Sequence, residues 1–126
     1  MSNLTTERNT LEGLGRTITV TAGEAIYAGA LVAVSGGLAI PAAASSCTVL
    51  GRAENTAASS GCVLSVKQGA FVWDNDTTSA CSSTDVGQTC YVKDDHTVTM
   101  AGGTAAVPAG TILHVDNGGV MVKTEL

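Results

Sequence analysis

Hydrophobic and polar residues alternate over short stretches of this chain, with glycine, asparagine or aspartate between the stretches. Residues 17–21 read Thr-Ile-Thr-Val-Thr, and a turn at Ala22-Gly23 follows. Alternation with a period of two places the apolar side chains on one face of an extended strand. The same pattern predicts further strands at 30–34, 37–40, 48–54, 62–68, 70–73, 88–93, 97–100, 111–115 and 119–123.

Helical periodicity is nearly absent from the sequence. The alanine-rich run 41–46 begins with Pro41 and carries no amphipathic pattern, so we expect a loop or one short helical turn there. Many short strands separated by turn residues are typical of small barrels and sandwiches. The sequence therefore predicts an all-β fold, a small β-barrel or β-sandwich with at most one short helix.

The chain divides into a polar start and one β-rich domain. Residues 1–15 are polar and aperiodic, which predicts an extended N-terminal arm, and residues 16–126 form the domain. The order of strands and glycine turns in 16–69 recurs in 85–126, which predicts two similar halves. The sharpest turn signal is Asn117-Gly118-Gly119, because Asn and Gly tolerate the positive φ of a tight hairpin.

Composition limits the partners that this chain can have. Only 13% of its residues are charged, about half the usual share, so we expect part of the surface to be buried between subunits. A net charge of −5 with six Lys and Arg residues argues against a phosphate backbone as a partner, so nucleic acid is not expected. The sequence also predicts no membrane span and no signal peptide.

Four cysteines leave two interpretations open. No CxxC pair occurs among the four, Cys47, Cys62, Cys81 and Cys90, which argues against a zinc or redox motif. They are either small buried thiols or partners in a disulfide such as Cys47 to Cys62 or Cys81 to Cys90.

Few residues suggest reaction chemistry. His96 beside Asp94 and Asp95, and His114 near Asp116, contain the groups of a metal site or an acid–base pair, but their spacing predicts turn and strand surfaces. The run Asp74-Asn75-Asp76 resembles part of a calcium loop without its glycine and distal glutamate, so a plain turn is expected. We therefore predict no catalytic, cofactor-binding or metal-binding residue, no enzyme activity and no small-molecule substrate.

The aromatic residues are few enough for each to matter. Tyr27, Phe71, Trp73 and Tyr91 are predicted to anchor the core or a subunit interface, because large rings dominate burial wherever they occur. Trp73, beside polar neighbours, is also the one position that would suit stacking on a sugar.

The order of several segments resembles a known family. Six segments, taken in order, resemble the capsid decoration (cement) proteins of tailed phages: 17–20, 22–34, 49–55, 66–73, 86–92 and 118–123. The resemblance covers about residues 16–123. It implies a β-rich protein, commonly trimeric, that sits on the outer surface of the mature head and clamps neighbouring coat subunits.

The resemblance sets the functional expectation. The partners would be the major capsid protein of the same phage and two further copies of the chain. The protein would be made in the bacterial cytoplasm and end on the outer capsid surface of the virion. The arm would pair with a coat-protein sheet through the capsid-binding residues Leu4, Thr5, Arg8, Leu11, Leu14 and Arg16. The alternative is a small receptor- or glycan-binding module of a phage tail or fibre that uses Trp73.

Overall fold

The computed structural model describes residues 17–102 and 106–124 and confirms the all-β fold. Within these ranges, one 3₁₀ turn at Ser83–Asp85 is the single helical element. The ten strands are β1 (Thr17–Thr21), β2 (Leu31–Ser35), β3 (Leu38–Pro41), β4 (Thr48–Ala53), β5 (Val63–Lys67), β6 (Gly69–Asn75), β7 (Thr89–Val92), β8 (Thr97–Thr99), β9 (Pro108–Asp116) and β10 (Gly119–Thr124).

The first five strands form one antiparallel sheet in the order β1-β5-β4-β2-β3. Its outer strands meet at one end, where Ala22 bridges to Ala39 and the Gly23 N–H donates to the Ala39 carbonyl at 2.7 Å. The sheet therefore curls almost into a closed ring. It encloses a core of small and branched side chains: Ala22, Ile26, Ala30, Val32, Ala39, Leu50, Ala53, Ala57, Leu64 and Val66.

Glycine makes the β2–β3 hairpin possible. Ser35 pairs with Leu38, so Gly36 and Gly37 alone form the turn, with φ of 62° and 85°. Two consecutive positive φ values are the geometry of the type I′ turn, which matches the twist of the flanking strands.

The last five strands form a closed barrel in the order β10-β6-β8-β7-β9. Its pairs are antiparallel except β6 with β8, which are parallel and share only Asp74↔Thr97 and Asn75↔Val98. β6 and β10, by contrast, pair over five residues. The two shortest ladders of the barrel are therefore those that β8 forms with β6 and with β7, each of two residue pairs.

The sheet and the barrel share a core. The apolar cluster inside the barrel also contains Leu31, Ala33, Ala42 and Val49 from the first sheet. The Leu31 N–H donates to the Asp95 carbonyl at 2.7 Å. Burying a Leu or Val side chain stabilises a fold by about 1.5–3 kcal/mol, so these contacts join the two parts firmly.

The β9–β10 hairpin forms where the sequence predicts it, but for a different reason. Positive φ falls on Gly119, at 133°, and not on Asn117 or Gly118. A Cβ at Gly119 would lie 2.5 Å from the Trp73 carbonyl oxygen. Close approach of β6 therefore requires glycine here, in addition to the turn.

The predicted strands are confirmed, with shifts at their ends. β9 begins at Pro108, three residues before the predicted start, and Gly110 adopts a φ of 151° within it. After Pro41 the chain forms a loop, and the one short helical turn lies instead at Ser83–Asp85.

The two parts of the fold divide the chain near residue 68. The strands of the first sheet lie within 17–67 and those of the barrel within 69–124. β6 belongs to neither of the predicted halves, 16–69 and 85–126, apart from Gly69, yet the barrel is built on it.

Candidate functional site

Two of the four predicted aromatic anchors lie in the barrel core. Phe71 and Trp73 alternate with exposed residues along β6 and pack edge to face, with ring centroids 6.2 Å apart. The Arg52 guanidinium lies 4.2 Å from the centre of the Phe71 ring, which adds a cation–π contact from the first sheet. Trp73 is only 4% exposed, and its Nε1 has no hydrogen-bond partner among the described residues.

The two tyrosines lie nearer the surface. Tyr27 is 71% exposed at the end of a loop that pairs with residues near Ala57, so it is not part of the core. Tyr91 is half-buried and its ring leaves no room for a Cβ at Gly102, where the nearest ring atom would be 2.6 Å away. Tyr27 therefore retains only the interface role among the two that the sequence suggests.

All four cysteines are free thiols. Cys81 and Cys90 are buried in the barrel cluster, and burial raises the pKa of Cys90 to about 12. Cys47 and Cys62 are half-buried and pack against different clusters, so the structure does not bring them together as a pair. A hydrogen bond with the Ser59 side chain lowers the pKa of Cys62.

The histidine–aspartate groups lie on the surface. Asp94, Asp95 and His96 place their ligand-type atoms within 4.8 Å of one another, and no other such group of three occurs in 17–102 and 106–124. The His96 Nδ1 lies 2.9 Å from Asp95 Oδ1, which raises the pKa of His96. His114 Nε2 lies 3.2 Å from Asp116 Oδ2 on β9. These residues form a turn and a strand surface.

Sequence reasoning missed an organised loop after β6. Asp76 is buried and accepts hydrogen bonds from Lys93 Nζ at 2.6 Å, Thr99 Oγ1 at 2.8 Å and the backbone of the residues that follow it. The Asn75 side chain both donates to and accepts from the Cys81 backbone. The sequence signal was an Asn-Asp pair before a Ser/Thr-rich stretch, since these side chains often bind nearby backbone.

The surface around this loop is polar and shallow. Asp74, Asp94 and Thr97 line a depression of about 240 Å³ that Lys93 and Asp76 also border. A second depression of about 660 Å³ lies beside Tyr91 and Gln88.

Exposed and half-buried apolar side chains form a small patch on the outside of the barrel. Val72 on β6 is 56% exposed and pairs with Met121 on β10, which in turn pairs with His114 on β9. Leu113, at the β-bulge beside His114, is also exposed. We call Val72, Met121 and Leu113 the barrel patch. Exposed apolar groups that are adjacent to one another are typical of contact surfaces.

The outer edge of β1 is a second candidate surface. β1 pairs with β5 on one side, and along Thr17–Thr21 no described strand pairs with it on the other. The Ala22 N–H donates to the Cys62 carbonyl, and the Ala22 carbonyl accepts from the Gly61 N–H, just before β5. Because the backbone groups of successive residues point to opposite sides of a strand, those of Thr17, Thr19 and Thr21 point away from β5. An exposed edge of this kind can accept a strand from a partner.

The predicted capsid-binding residues Leu4, Thr5, Arg8, Leu11, Leu14 and Arg16 lie outside the described residues. They precede Thr17, the first residue of β1, so the chain enters the fold at the edge strand of the first sheet.

No protein-family model, curated protein or solved structure matches this chain. Among the residues that the structure describes, no helix has the length and apolar character needed to cross a membrane.

Proposed function

We propose that this chain is a virion structural protein, a decoration protein that binds the outer surface of a mature tailed-phage head as a trimer and stabilises it. The observation that carries the proposal is the outer edge of β1, immediately after the N-terminal segment, with which no described strand pairs along Thr17–Thr21. A clamp on a capsid needs a rigid body and an edge that coat subunits can reach. The shared core of sheet and barrel supports the first, and the β1 edge supports the second.

The proposal of a trimer rests on apolar side chains at the surface. Tyr27 lies on an exposed loop, and the barrel patch combines the exposed Val72 and Leu113 with the half-buried Met121 on the barrel exterior. Contacts through either surface would bury them between copies of the chain. A trimer also matches the threefold positions of a capsid lattice, and binding at several sites at once strengthens weak individual contacts.

The glycan-binding alternative depends on an exposed Trp73 side chain. Trp73 lies inside the barrel and is 4% exposed, so it offers no face for a sugar to stack on. We therefore favour the decoration role.

Deletion of residues 1–12 tests the role of the N-terminal segment. We expect the truncated protein to remain a trimer by light scattering but to stay in the supernatant when expanded empty capsids are sedimented. Full-length protein should sediment with them. A truncated protein that decorates heads at wild-type occupancy would show that the body alone makes the contact.

A matched variant separates the segment from the β1 edge. Thr19→Pro removes an outward-facing N–H at the edge, whereas Thr19→Ala removes the same side chain and keeps that N–H. We expect the first to weaken sedimentation with capsids more than the second, with circular dichroism confirming that both fold.

A further inference from the structure

The turn between β9 and β10 contains a reactive dipeptide. Asn117 and Gly118 are both exposed, and the pair Asp116↔Gly119 closes the turn on either side of them. Among the asparagines of the sequence, Asn117 is the one that a glycine follows. The backbone nitrogen after an asparagine can attack the side-chain amide carbon, and glycine hinders this attack least because it has no Cβ. The turn therefore exposes a nucleophile next to its electrophile.

The structure restrains two other asparagines of the fold. The Asn55 side chain donates to the Val63 carbonyl at 3.2 Å and accepts from the Ser65 N–H at 2.7 Å. The Asn75 side chain both donates to and accepts from the Cys81 backbone, at 2.9 and 2.8 Å. Rotation of either amide carbon toward the next backbone nitrogen requires that these hydrogen bonds break. The structure therefore disfavours the same reaction at both positions.

Asp116 supplies a proton acceptor at this turn. The Gly118 N–H donates to Asp116 Oδ1 at 2.7 Å. An amide nitrogen attacks a carbonyl carbon only as its own proton leaves, and a carboxylate within hydrogen-bond distance of that proton can receive it. Three consecutive residues, 116–118, thus carry the proton acceptor, the carbon that is attacked and the nitrogen that attacks it.

We propose that Asn117 is a site of spontaneous covalent modification, at which it is converted to aspartate or isoaspartate. The Gly118 nitrogen forms a bond to Asn117 Cγ, and its proton passes to the Asp116 carboxylate. The side-chain nitrogen leaves with that proton as ammonia, and water then opens the resulting succinimide ring at either of its carbonyls. The reaction consumes water, releases ammonia and replaces a neutral side chain by a carboxylate. It is a property of the chain alone and does not rest on the proposed function.

The two products differ in their effect on the barrel. Isoaspartate lengthens the backbone of the turn by a CH2 group. The turn has no space for it on the side of β6, because a Cβ on Gly119 would already lie 2.5 Å from the Trp73 carbonyl oxygen. The longer backbone therefore strains the pair Asp116↔Gly119 or the ladder of β10 with β6. The aspartate product adds only a negative charge next to that of Asp116, so isoaspartate is the product that weakens the barrel.

Peptide mapping by mass spectrometry measures the modification in the purified full-length protein. After incubation at mildly alkaline pH, we expect the mass gain of OH replacing NH2 in the peptide that contains Asn117, and much less of it at Asn55 and Asn75. Gly118→Ala should slow this gain about tenfold or more, since the added Cβ hinders the attacking nitrogen. That variant should still fold, because its Cβ meets the end of a side chain, Asp116 Oδ1, at 3.2 Å. An unmodified Asn117, faster gain at Asn55 or Asn75, or equal rates in the wild type and Gly118→Ala would overturn the proposal.

Asp116→Asn tests the proton acceptor. The amide oxygen of the new side chain can still accept the Gly118 N–H, but it is too weak a base to receive the proton. We expect the mass gain at position 117, located by fragmentation of the peptide, to slow several-fold while circular dichroism shows an unchanged fold. Equal rates in the wild type and Asp116→Asn would contradict the transfer of the proton to Asp116.

Thermal unfolding distinguishes the effects of the two products. Asn117→Asp carries the charge of the aspartate product without the longer backbone, so we expect its melting temperature to stay near that of the fresh wild type. Aged wild type that contains isoaspartate should melt at a lower temperature than Asn117→Asp. Gly118→Ala, aged alongside, controls for damage elsewhere in the chain and should keep its melting temperature. Aged wild type that melts like Asn117→Asp would contradict the strain assigned to the lengthened turn.

Discussion

At the scale of single residues, Asp76 determines the shape of the loop that follows β6. Its buried carboxylate accepts hydrogen bonds from Lys93, from Thr99 and from the backbone N–H groups of Thr78 and Ser79. The Lys93 ammonium and these donors hold the pKa of Asp76 well below its ordinary value of 3.8. A carboxylate with so many donors must stay ionised for the loop to keep its conformation.

Asp76→Asn should therefore lower the melting temperature at neutral pH and flatten its dependence on pH. Because the folded-state pKa lies below the unfolded value, the ionised Asp76 stabilises the fold fully above about pH 4 and the effect is lost as the pH falls further. The wild type should therefore lose stability on acidification more steeply than the variant. Thermal unfolding between about pH 2 and 7 measures both effects.

Asp74→Asn is the matched control for this prediction. Asp74 is the exposed aspartate two residues earlier, on the outer face of β6. We expect its substitution to leave the melting temperature at neutral pH nearly unchanged. Equal melting temperatures for Asp76→Asn and the wild type would show that the hydrogen bonds of Asp76 contribute nothing to stability.

At the scale of elements, the β9–β10 hairpin depends on one of its two glycines. Gly119→Ala should lower the free energy of unfolding by about 2 kcal/mol or more, because alanine is strained at a φ of 133° and its Cβ would meet the Trp73 carbonyl. Gly118→Ala should have a much smaller effect, since its Cβ would lie 3.2 Å from the Asp116 Oδ1 and the φ is not positive. Urea denaturation of the two variants measures the difference, and equal losses would contradict this account of the hairpin.

The strands were predictable from the sequence because each needs only local information. Alternation in Thr-Ile-Thr-Val-Thr predicts β1, and the Asn117-Gly118-Gly119 run predicts the β9–β10 turn. Pairing between distant strands was not predictable, since it depends on which faces meet in three dimensions. The parallel contact of β6 with β8 is the clearest example, because the turn and insert between them carry no signal of direction.

The candidate surfaces were only partly predictable. Ring size predicted the four aromatic residues as anchors of the core or of an interface. Phe71 and Trp73 lie in the barrel core whereas Tyr27 lies on an exposed loop, and aromatic character alone does not distinguish these positions. The barrel patch was missed because Val72, Met121 and Leu113 come together only through strand register. Asp76 was predicted to lie in a plain turn, since the hydrogen bond from Lys93 joins residues 17 positions apart.

At the scale of the whole molecule, two small β structures share one core and leave distinct surfaces for partners. The first sheet presents the outer edge of β1, and the barrel presents its apolar patch. In the proposed decoration protein, the β1 edge would contact coat subunits and the barrel patch would contact other copies of the chain.

The most direct test of the proposed function is a reconstruction of expanded empty heads to which the purified protein has been added. The account predicts added density on the outer surface at threefold or quasi-threefold positions, into which three copies of the sheet and barrel fit. Heads without added density, or density confined to the tail or the inside of the shell, would contradict it.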